Sequence, residues 1–292
     1  MASVSDAFQS LLKRIQPTGG EIQAAGRHFE TIKTRLETVF AAKNFPKAGS
    51  FSRGTFIRGR SDVDVFAQIP LDEIWWGNEW KSSNTILDKF RREIAARLPN
   101  TKVGRDVHAI VVEFSDMDID VVPAAWGGFS KEYKRPLYYI PNGNGGWMLT
   151  SPDIHNGYIA LKNQESGGKL RAVAQLFKFW RVCRNPPIPI SSFHIEMVLA
   201  SEGICTGIKS YAECMTEMLQ KMAERDCAGI LDPYRISGNI AATKSEAQRA
   251  AALASVKSSR DQAKAALSDE RNGRMEDALR RWDYVFNYKL FR

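Results

Sequence analysis

Two aspartates separated by one residue begin a short alternating segment. Asp62 and Asp64 are interleaved with apolar residues in the pattern of a half-buried β-strand: Val63, Val65, Ala67 and Ile69. Residues two apart on a strand project from the same face, with Cα atoms about 7 Å apart. Like charges this close repel unless a cation lies between them, and carboxylate oxygens suit Mg²⁺ or Mn²⁺. We therefore predict that both aspartates are metal ligands.

A glycine-punctuated basic segment precedes this strand. Gly49 and Ser50 offer a backbone that can approach an anion closely and a hydroxyl donor, and three arginines follow them: Arg53, Arg58 and Arg60. Backbone N–H groups with neighbouring cations form a phosphate cradle. Metal-binding carboxylates beside a phosphate cradle indicate chemistry on a nucleoside triphosphate.

A site with two metal ions needs a third carboxylate from a neighbouring strand. The segment Met117-Asp-Ile-Asp-Val-Val-Pro123 offers two. Asp118 and Asp120 lie on one face of the predicted strand, so periodicity does not choose between them.

The elements that position these residues follow from the surrounding pattern. We expect a long amphipathic helix from Thr18 to near Pro46, a helix over 82–98, and strands over 61–69, 107–114 and 117–122. The Gly-, Pro- and Asn-rich stretch 124–152 is interpreted as a connecting region. The pattern is helical from Ile154 onward, with breaks near 167–168, 185–189, 203–207 and 232–238. An N-terminal α/β lobe (1–150) and a C-terminal helical lobe (151–292) are therefore predicted.

Composition narrows the class of protein. The 292 residues are 43% hydrophobic and 25% charged, which excludes a disordered tail, a fibrous repeat and a disulfide-stapled miniprotein. The net charge of +8 favours phosphate-bearing partners. The cysteines lack metal-ligand spacing and are expected to be free thiols: Cys183, Cys205, Cys214 and Cys227. With no targeting or bilayer-spanning segment in evidence, we expect a cytoplasmic protein.

Four motifs together resemble the polymerase-β-type nucleotidyltransferase core: Gly49-Ser50, Arg53-Gly-Thr55, Ser61-Asp-Val-Asp-Val65 and Asp120-Val-Val-Pro-Ala124. More narrowly, they resemble the bacterial cGAS/DncV-like nucleotidyltransferases (CD-NTases), which synthesise second-messenger oligonucleotides or dinucleotides. Weaker motifs continue the resemblance through the helical lobe: Leu176-Phe-Lys-Phe-Trp180, Ser191-Ser-Phe-His194 and Leu231-Asp-Pro233. The resemblance implies an α+β, bilobal fold, in which a mixed sheet with flanking helices is followed by a C-terminal helical lobe.

The resemblance also implies roles for individual residues. In this family the third carboxylate precedes the Val-Pro-Ala element, which selects Asp120 and leaves Asp118 as a hydrogen-bonded neighbour. The nucleotide is expected to contact a set of residues from both lobes: Gly49, Ser50, Arg53, Lys178, Ser192 and Phe193. Lys178 and Ser192 would contact the triphosphate, Phe193 would stack on the base, and Ser191 would replace Ser192 if the register differs by one.

The apolar pattern of the predicted helix around 170–182 indicates on which face Lys178 lies. Its apolar residues are predicted to form the buried face: Val173, Leu176, Phe177 and Trp180. Arg171, Gln175 and Lys178 share the opposite face, from which a lysine would reach phosphate as a point charge.

The implied reaction joins nucleoside triphosphates, bound between the lobes, into a cyclic di- or trinucleotide for antiphage (CBASS) signalling. A ribose hydroxyl attacks an α-phosphate in line and pyrophosphate leaves, with two Mg²⁺ ions (Mn²⁺ as an alternative) held by Asp62, Asp64 and Asp120. Substrates would be ATP, GTP or pyrimidine nucleotides, and a separate effector would read the product. We expect a monomer that needs neither membrane nor nucleic acid. Two alternatives stay open: a template-independent linear or RNA-tailing polymerase, and an inactive nucleic-acid-binding regulator.

Overall fold

The computed structural model describes residues 3–59 and 63–291. The chain forms two compact units, of which one is Pro17–Gly157 and the other combines Met1–Gln16 with Tyr158–Arg292. The predicted boundary at 150/151 therefore moves to 157/158. The predicted division was also wrong in placing the first residues in the N-terminal lobe. Helix α1 (Val4–Ile15) buries its apolar face among helices of the second half of the chain.

A six-stranded mixed sheet is the centre of the Pro17–Gly157 unit. In chain order the strands of this unit are β1 (Val63–Ile69), β2 (Trp75–Trp76), β3 (Glu79–Trp80), β4 (Lys102–Arg105), β5 (Ile110–Glu113), β6 (Asp118–Phe129), β7 (Pro136–Pro141) and β8 (Trp147–Thr150). Strands β4 to β8 are joined as an antiparallel path, while β1 runs parallel to β6. Strands β2 and β3 form a separate ribbon.

Helices α2 (Gly19–Phe40) and α4 (Ser83–Arg97) cover one face of the sheet, and the short helix α3 (Gly49–Arg53) precedes β1. The predicted start of α2 is confirmed, because Thr18 and Glu21 form a reciprocal capping box. The helix ends earlier than predicted, at Phe40, and the C-cap residue Ala41 has a φ of +48°. The chain beyond it then pairs with the edge of β1, and the amide of Phe66 donates to the carbonyl of Pro46 at 3.0 Å.

The prediction of a connecting region over 124–152 was wrong. Strand β6 continues to Phe129, and β7 and β8 follow it. Pro123 does not end the strand, because it lies between the β6 residues paired with β5 and those paired with β7. The glycines and asparagines that suggested a connection mark a bulge at Gly127 and the β7–β8 turn.

The second unit is helical, with breaks at the predicted places. Its helices after α1 are α5 (Pro152–Glu165, whose first residues belong to the sheet unit), α6 (Lys169–Val182), α7 (Ser192–Ser201), α8 (Tyr211–Glu224), α9 (Glu246–Arg271) and α10 (Met275–Val285). A small ribbon joins β9 (Ile230–Leu231) to β10 (Asn239–Ile240). The largest fully buried side chains of the helical unit are Phe8, Phe177, Trp180, Trp282 and Phe286. As predicted, the four cysteines are free thiols, and all are buried. Across the described residues, no helix combines the length and the apolar character that crossing a bilayer requires.

Candidate active site

Strands β1 and β6 place two of the predicted ligands side by side. Asp64 is the register partner of Asp120, and neighbouring strands lie about 4.8 Å apart. The residues that flank each aspartate are buried in the core beneath α2 and α4: Val63, Val65, Ile119 and Val121. Because side chains alternate along a strand, both aspartates project from the opposite face of the sheet, where they are partly exposed.

The register separates Asp120 from Asp118. Asp118 lies two residues earlier on the same face, opposite Glu113 of β5. Burial, followed by the nearby Glu113 carboxylate, raises the pKa of Asp118, while Lys102 acts against the rise. Asp120 is therefore the carboxylate that lies across from Asp64, and Asp118 belongs to a charge cluster with Glu113 and Lys102.

Gly49 lies directly against the Asp64 carboxylate. Its φ of +64° is in the left-handed region, and a Cβ built on it would overlap Asp64 Oδ2. The backbone amide of Ala48 also donates to the Asp64 carbonyl at 3.0 Å. Only glycine satisfies both the backbone conformation and the close approach. The Gly49-Ser50 turn is therefore held directly against Asp64 of β1.

The cations predicted around this turn differ in their environments. Arg53 is buried, as is Ser50. Arg58 lies 3.3 Å from Glu21 of α2, in an ion pair with that carboxylate. Arg60 lies outside the described residues. Which of these cations contacts a phosphate stays a prediction.

Asn156 is a residue that sequence reasoning missed. Its carboxamide oxygen accepts a hydrogen bond from Ser52 Oγ at 3.2 Å, and its nitrogen donates to the Lys47 carbonyl at 3.5 Å. Ser52 Oγ also lies 3.1 Å from the Gly49 carbonyl. Asn156 therefore ties the two sides of the Gly49-Ser50 turn to helix α5. Ser52 and Asn156 are 104 residues apart in the chain, and no local pattern links them.

The donor chemistry of this face fits a hard divalent cation. Asp64 and Asp120 are oxygen ligands on adjacent strands, as Mg²⁺ prefers. Asp62, the third predicted ligand, lies outside the described residues. Over residues 3–59 and 63–291, no three His, Cys, Asp or Glu side chains form a group that could hold a metal ion. The residues present therefore match the expected metal in type, and the assignment of the complete ligand set stays a prediction.

The second unit places Lys178 differently from the prediction. Lys178 and Gln175 were assigned to the face of α6 opposite the core, and that assignment was wrong because both are buried. Lys178 Nζ lies 2.5 Å from Glu196 Oε1 on α7, and their side chains are 3% and 0% exposed. A buried ammonium requires a carboxylate nearby, and Glu196 supplies it. The triphosphate contact implied for Lys178 stays a prediction.

The α6–α7 contact also involves the predicted serines. Ser192 Oγ accepts a hydrogen bond from Arg181 at 3.1 Å, one helical turn from the Lys178–Glu196 pair. Ser191 is the N-cap of α7, and its Oγ accepts from the His194 amide at 3.3 Å. Phe193 is half-buried. Lys178 and Ser192 are therefore on facing helices, whereas Ser191 serves as a cap.

Glu196 was a further omission, although the sequence carried a signal for it. It is the only charged residue in the apolar run from Ile195 to Ala200. An acid within such a run needs a buried partner of opposite charge. The preceding helix carries Lys178 on the side that meets it.

The sequence is similar to a family of nucleotide synthetases and to curated members of related enzymes. The family model described as "Second Messenger Oligonucleotide or Dinucleotide Synthetase domain" (SMODS) matches residues 1–163. A cyclic AMP-AMP-AMP synthase from Escherichia coli is 25% identical over 169 residues, which are 55% of this chain and 50% of that protein. A probable cyclic nucleotide synthase from Bacillus cereus is 23% identical over 200 residues, 59% of this chain and 60% of that protein. The chain thus spans about half to three-fifths of the length of these curated relatives.

A different class of enzyme matches over a shorter region. A CCA-adding enzyme from Saccharolobus shibatae is 30% identical over 116 residues, which are 40% of this chain and 26% of that protein. The match is therefore confined to a part of each chain.

Solved structures show the same fold over nearly the whole chain. The cyclic AMP-GMP synthase DncV of Vibrio cholerae, in complex with the linear intermediate pppA(3′,5′)pG, has a TM-score of 0.76 at 13% identity, and 99% of this chain and 98% of that chain are covered. CdnC of E. coli MS115-1 with ATP has a TM-score of 0.73 at 19% identity, covering 100% and 99%. The predicted α+β fold, with a polymerase-β-like core and a helical part, is confirmed.

Proposed function

Because this chain belongs to the Second Messenger Oligonucleotide or Dinucleotide Synthetase family, we propose that it is a nucleotidyltransferase that joins nucleoside triphosphates into a cyclic oligonucleotide. The observation that carries the proposal is the pairing of Asp64 with Asp120 on adjacent parallel strands, beside a glycine turn that touches Asp64. Family membership indicates the class of product, and the two carboxylates indicate the chemistry.

In the proposed mechanism the protein positions charge rather than forming a covalent intermediate. Asp64 and Asp120, with Asp62, would hold Mg²⁺, with Mn²⁺ as the alternative. The chemistry that bound Mg²⁺ supplies is neutralisation of phosphate charge and a lowered pKa of the attacking ribose hydroxyl. The Gly49-Ser50 turn would hold the triphosphate, and Asn156 would keep that turn in place through Ser52.

The substrate and the biological role are finer proposals. We infer ATP or GTP as substrates, because two structures that share the fold were determined with ATP or with an A–G linear intermediate. The relatives are described as cyclic nucleotide synthases, which supports a cyclic di- or trinucleotide product. Such a product would signal to a separate effector in antiphage (CBASS) defence.

A linear product is the second candidate. The partial match to a CCA-adding enzyme supports it, because the name of that relative describes the addition of nucleotides and not the formation of a cyclic product. Both reactions would use the same carboxylates and would release pyrophosphate. They differ in the product, since a cyclic oligonucleotide has no terminal phosphate.

The test is an incubation of the purified chain with all four labelled nucleoside triphosphates and Mg²⁺. We expect a phosphatase-resistant product whose mass corresponds to a cyclic di- or trinucleotide. A phosphatase-sensitive product of increasing length would establish the linear alternative, and the absence of any nucleotide consumption would overturn the proposal.

Three variants assign the carboxylates. Asp64→Asn and Asp120→Asn should reduce pyrophosphate release to background, because each removes a ligand charge from the paired position. Asp118→Asn is the matched control on the same strand and face, and it should retain turnover. Full activity of Asp120→Asn, or equal loss in Asp118→Asn, would contradict the assignment.

A further inference from the structure

The hairpin formed by β6 and β7 carries two exposed aromatic side chains close together. Phe129 is 62% exposed and Trp126 is 38% exposed. Their ring centroids lie 4.9 Å apart in an edge-to-face arrangement. Isolated apolar residues on a surface are ordinary, whereas a contacting pair of large aromatics is a potential binding surface.

A β-bulge creates this pair. Trp126 is paired with Tyr138 and Phe129 with Pro136, while Gly127 is an extra residue without a partner in the register. Residues three apart on a regular strand face opposite sides, and the extra residue brings Trp126 and Phe129 to the same side. Gly128 has a φ of +97°, which favours glycine. The two glycines thus serve to align the aromatics.

The exposed pair is anchored in the sheet. Trp126 contacts the buried Tyr138 with a centroid distance of 6.0 Å, and Tyr138 contacts the buried Phe66 at 6.1 Å. Phe66 lies two residues after Asp64 on β1 and therefore on the same sheet face. Trp126 likewise lies on the same face of β6 as Asp120. A series of ring contacts therefore runs from Phe66, on the sheet face that carries Asp64 and Asp120, through Tyr138 to the exposed Trp126 and Phe129 at the hairpin end.

The hairpin turn adds positive charge. Residues 130–135 contain Lys131, Lys134 and Arg135, all exposed, against the single acid Glu132. The turn has a defined conformation, since the amides of Lys134 and Ser130 donate to the carbonyls of Ser130 and Arg135 at 3.0 and 2.9 Å. Three cations next to two exposed rings, on a chain of net charge +8, complement a ligand with both phosphates and planar bases.

We propose that this hairpin end is a binding surface for single-stranded nucleic acid. Phe129 and Trp126 stack on unpaired bases, and Lys131, Lys134 and Arg135 contact backbone phosphates. Base stacking on aromatic side chains tolerates any sequence, so the surface recognises single strands rather than a particular motif. A duplex is the weaker ligand because its bases already stack on one another. This binding does not depend on the proposed transferase activity.

The test is fluorescence anisotropy with a labelled 20-nucleotide RNA single strand and a duplex of the same length, in EDTA and without nucleoside triphosphate. We expect the single strand to bind more tightly. Phe129→Ala should weaken binding roughly tenfold, because one stacked base is lost. The control Phe291→Ala removes a comparably exposed phenylalanine (54%) and should leave affinity unchanged.

A charge variant tests the phosphate contacts. Replacing Lys131, Lys134 and Arg135 by Gln should reduce the slope of log affinity against log salt by roughly 2, at about 0.7 per phosphate contact on a single strand. The same triple replacement at the exposed Arg91, Arg92 and Arg97 of α4 is the matched control. Absence of binding at low salt, equal affinity for duplex, or equal effects of the variant and control sets would overturn the proposal. None of these outcomes bears on nucleotide turnover, which is measured separately.

Discussion

At the scale of single residues, a buried ion pair joins helices α6 and α7. Lys178 and Glu196 are almost fully buried and lie 2.5 Å apart. Burial removes water from both charged groups, which costs free energy. Removing either partner would therefore leave an uncompensated buried charge and destabilise the fold. The lysine that the resemblance assigns to triphosphate binding is therefore also a residue on which the α6–α7 packing depends.

Glu196→Gln should destabilise the protein by about 3–5 kcal/mol, because it removes the carboxylate charge beside a buried ammonium. Urea denaturation measures the change. The control is Glu165→Gln, which removes the carboxylate of the partly exposed Lys162–Glu165 pair (2.8 Å) and should cost at most about 1 kcal/mol.

A second variant separates loss of charge balance from loss of packing. Lys178→Met combined with Glu196→Leu replaces both charges by apolar side chains and should recover much of the stability lost in Glu196→Gln. The interpretation fails if Glu196→Gln behaves like Glu165→Gln, or if the double variant is the least stable of the three.

Single residues also show where sequence reasoning stops. The glycine before Asp64 was enough to predict a carboxylate beside a close backbone turn, as the Gly49–Asp64 contact shows, whereas Asp62 lies outside the described residues. The choice of Asp120 over Asp118 needed the family resemblance, because alternation places both on one face. The register with β1 then shows which of them lies opposite Asp64. Asn156 had no local signal, because its partner is distant in the chain.

At the scale of elements, prediction succeeded where one periodicity dominated. The capping box at Thr18 and the alternation of β1 both gave elements with the expected faces. The failures were at 124–152, where turn residues alternate with short strands, and at α1, whose pattern was not recognised. The pair Gly127-Gly128 is locally typical of a loop, although in the structure it forms a bulge within the continuous strand β6. Only pairing with β7 distinguishes the two.

His194 links two elements of the helical unit and gives stability a pH dependence. It lies in α7, and its Nδ1 is 3.2 Å from the Ile240 carbonyl of β10. Burial lowers the pKa of His194, and the carbonyl contact only partly opposes this. The native state therefore holds the neutral ring at a pH where the unfolded chain, with a pKa of about 6.5, takes up a proton.

It follows that this contribution is fully present above pH of about 6.5 and is lost as the pH falls toward the lower native pKa. The difference in unfolding free energy between the native protein and His194→Gln should shrink or reverse between pH 7.5 and 5.5, as followed by urea denaturation at each pH. A difference that is constant with pH would show that His194 is not held neutral.

At the scale of the whole molecule, the chain leaves one compact unit and returns to it. Residues before Pro17 group with Tyr158–Arg292, and the sheet unit is inserted between them. Phe8 of α1 packs against two aromatic rings at the end of the chain, with its ring centroid 4.9 Å from that of Trp282 in α10 and 5.7 Å from that of Phe286, the C-cap of α10. Because contacts of this kind hold a unit together, we expect each unit to lose structure in response to changes in its own core.

Phe8→Ala should destabilise the helical unit by about 3–5 kcal/mol, because it leaves a cavity among large aromatic side chains. Hydrogen exchange followed by mass spectrometry should then increase in 4–15 and 158–291 and change little in 17–157. Phe90→Ala is the matched variant in the sheet unit, where the fully buried Phe90 packs on Phe40 at 4.2 Å, and it should give the reverse pattern. Faster exchange across both units in either variant would mean that they unfold as one cooperative body.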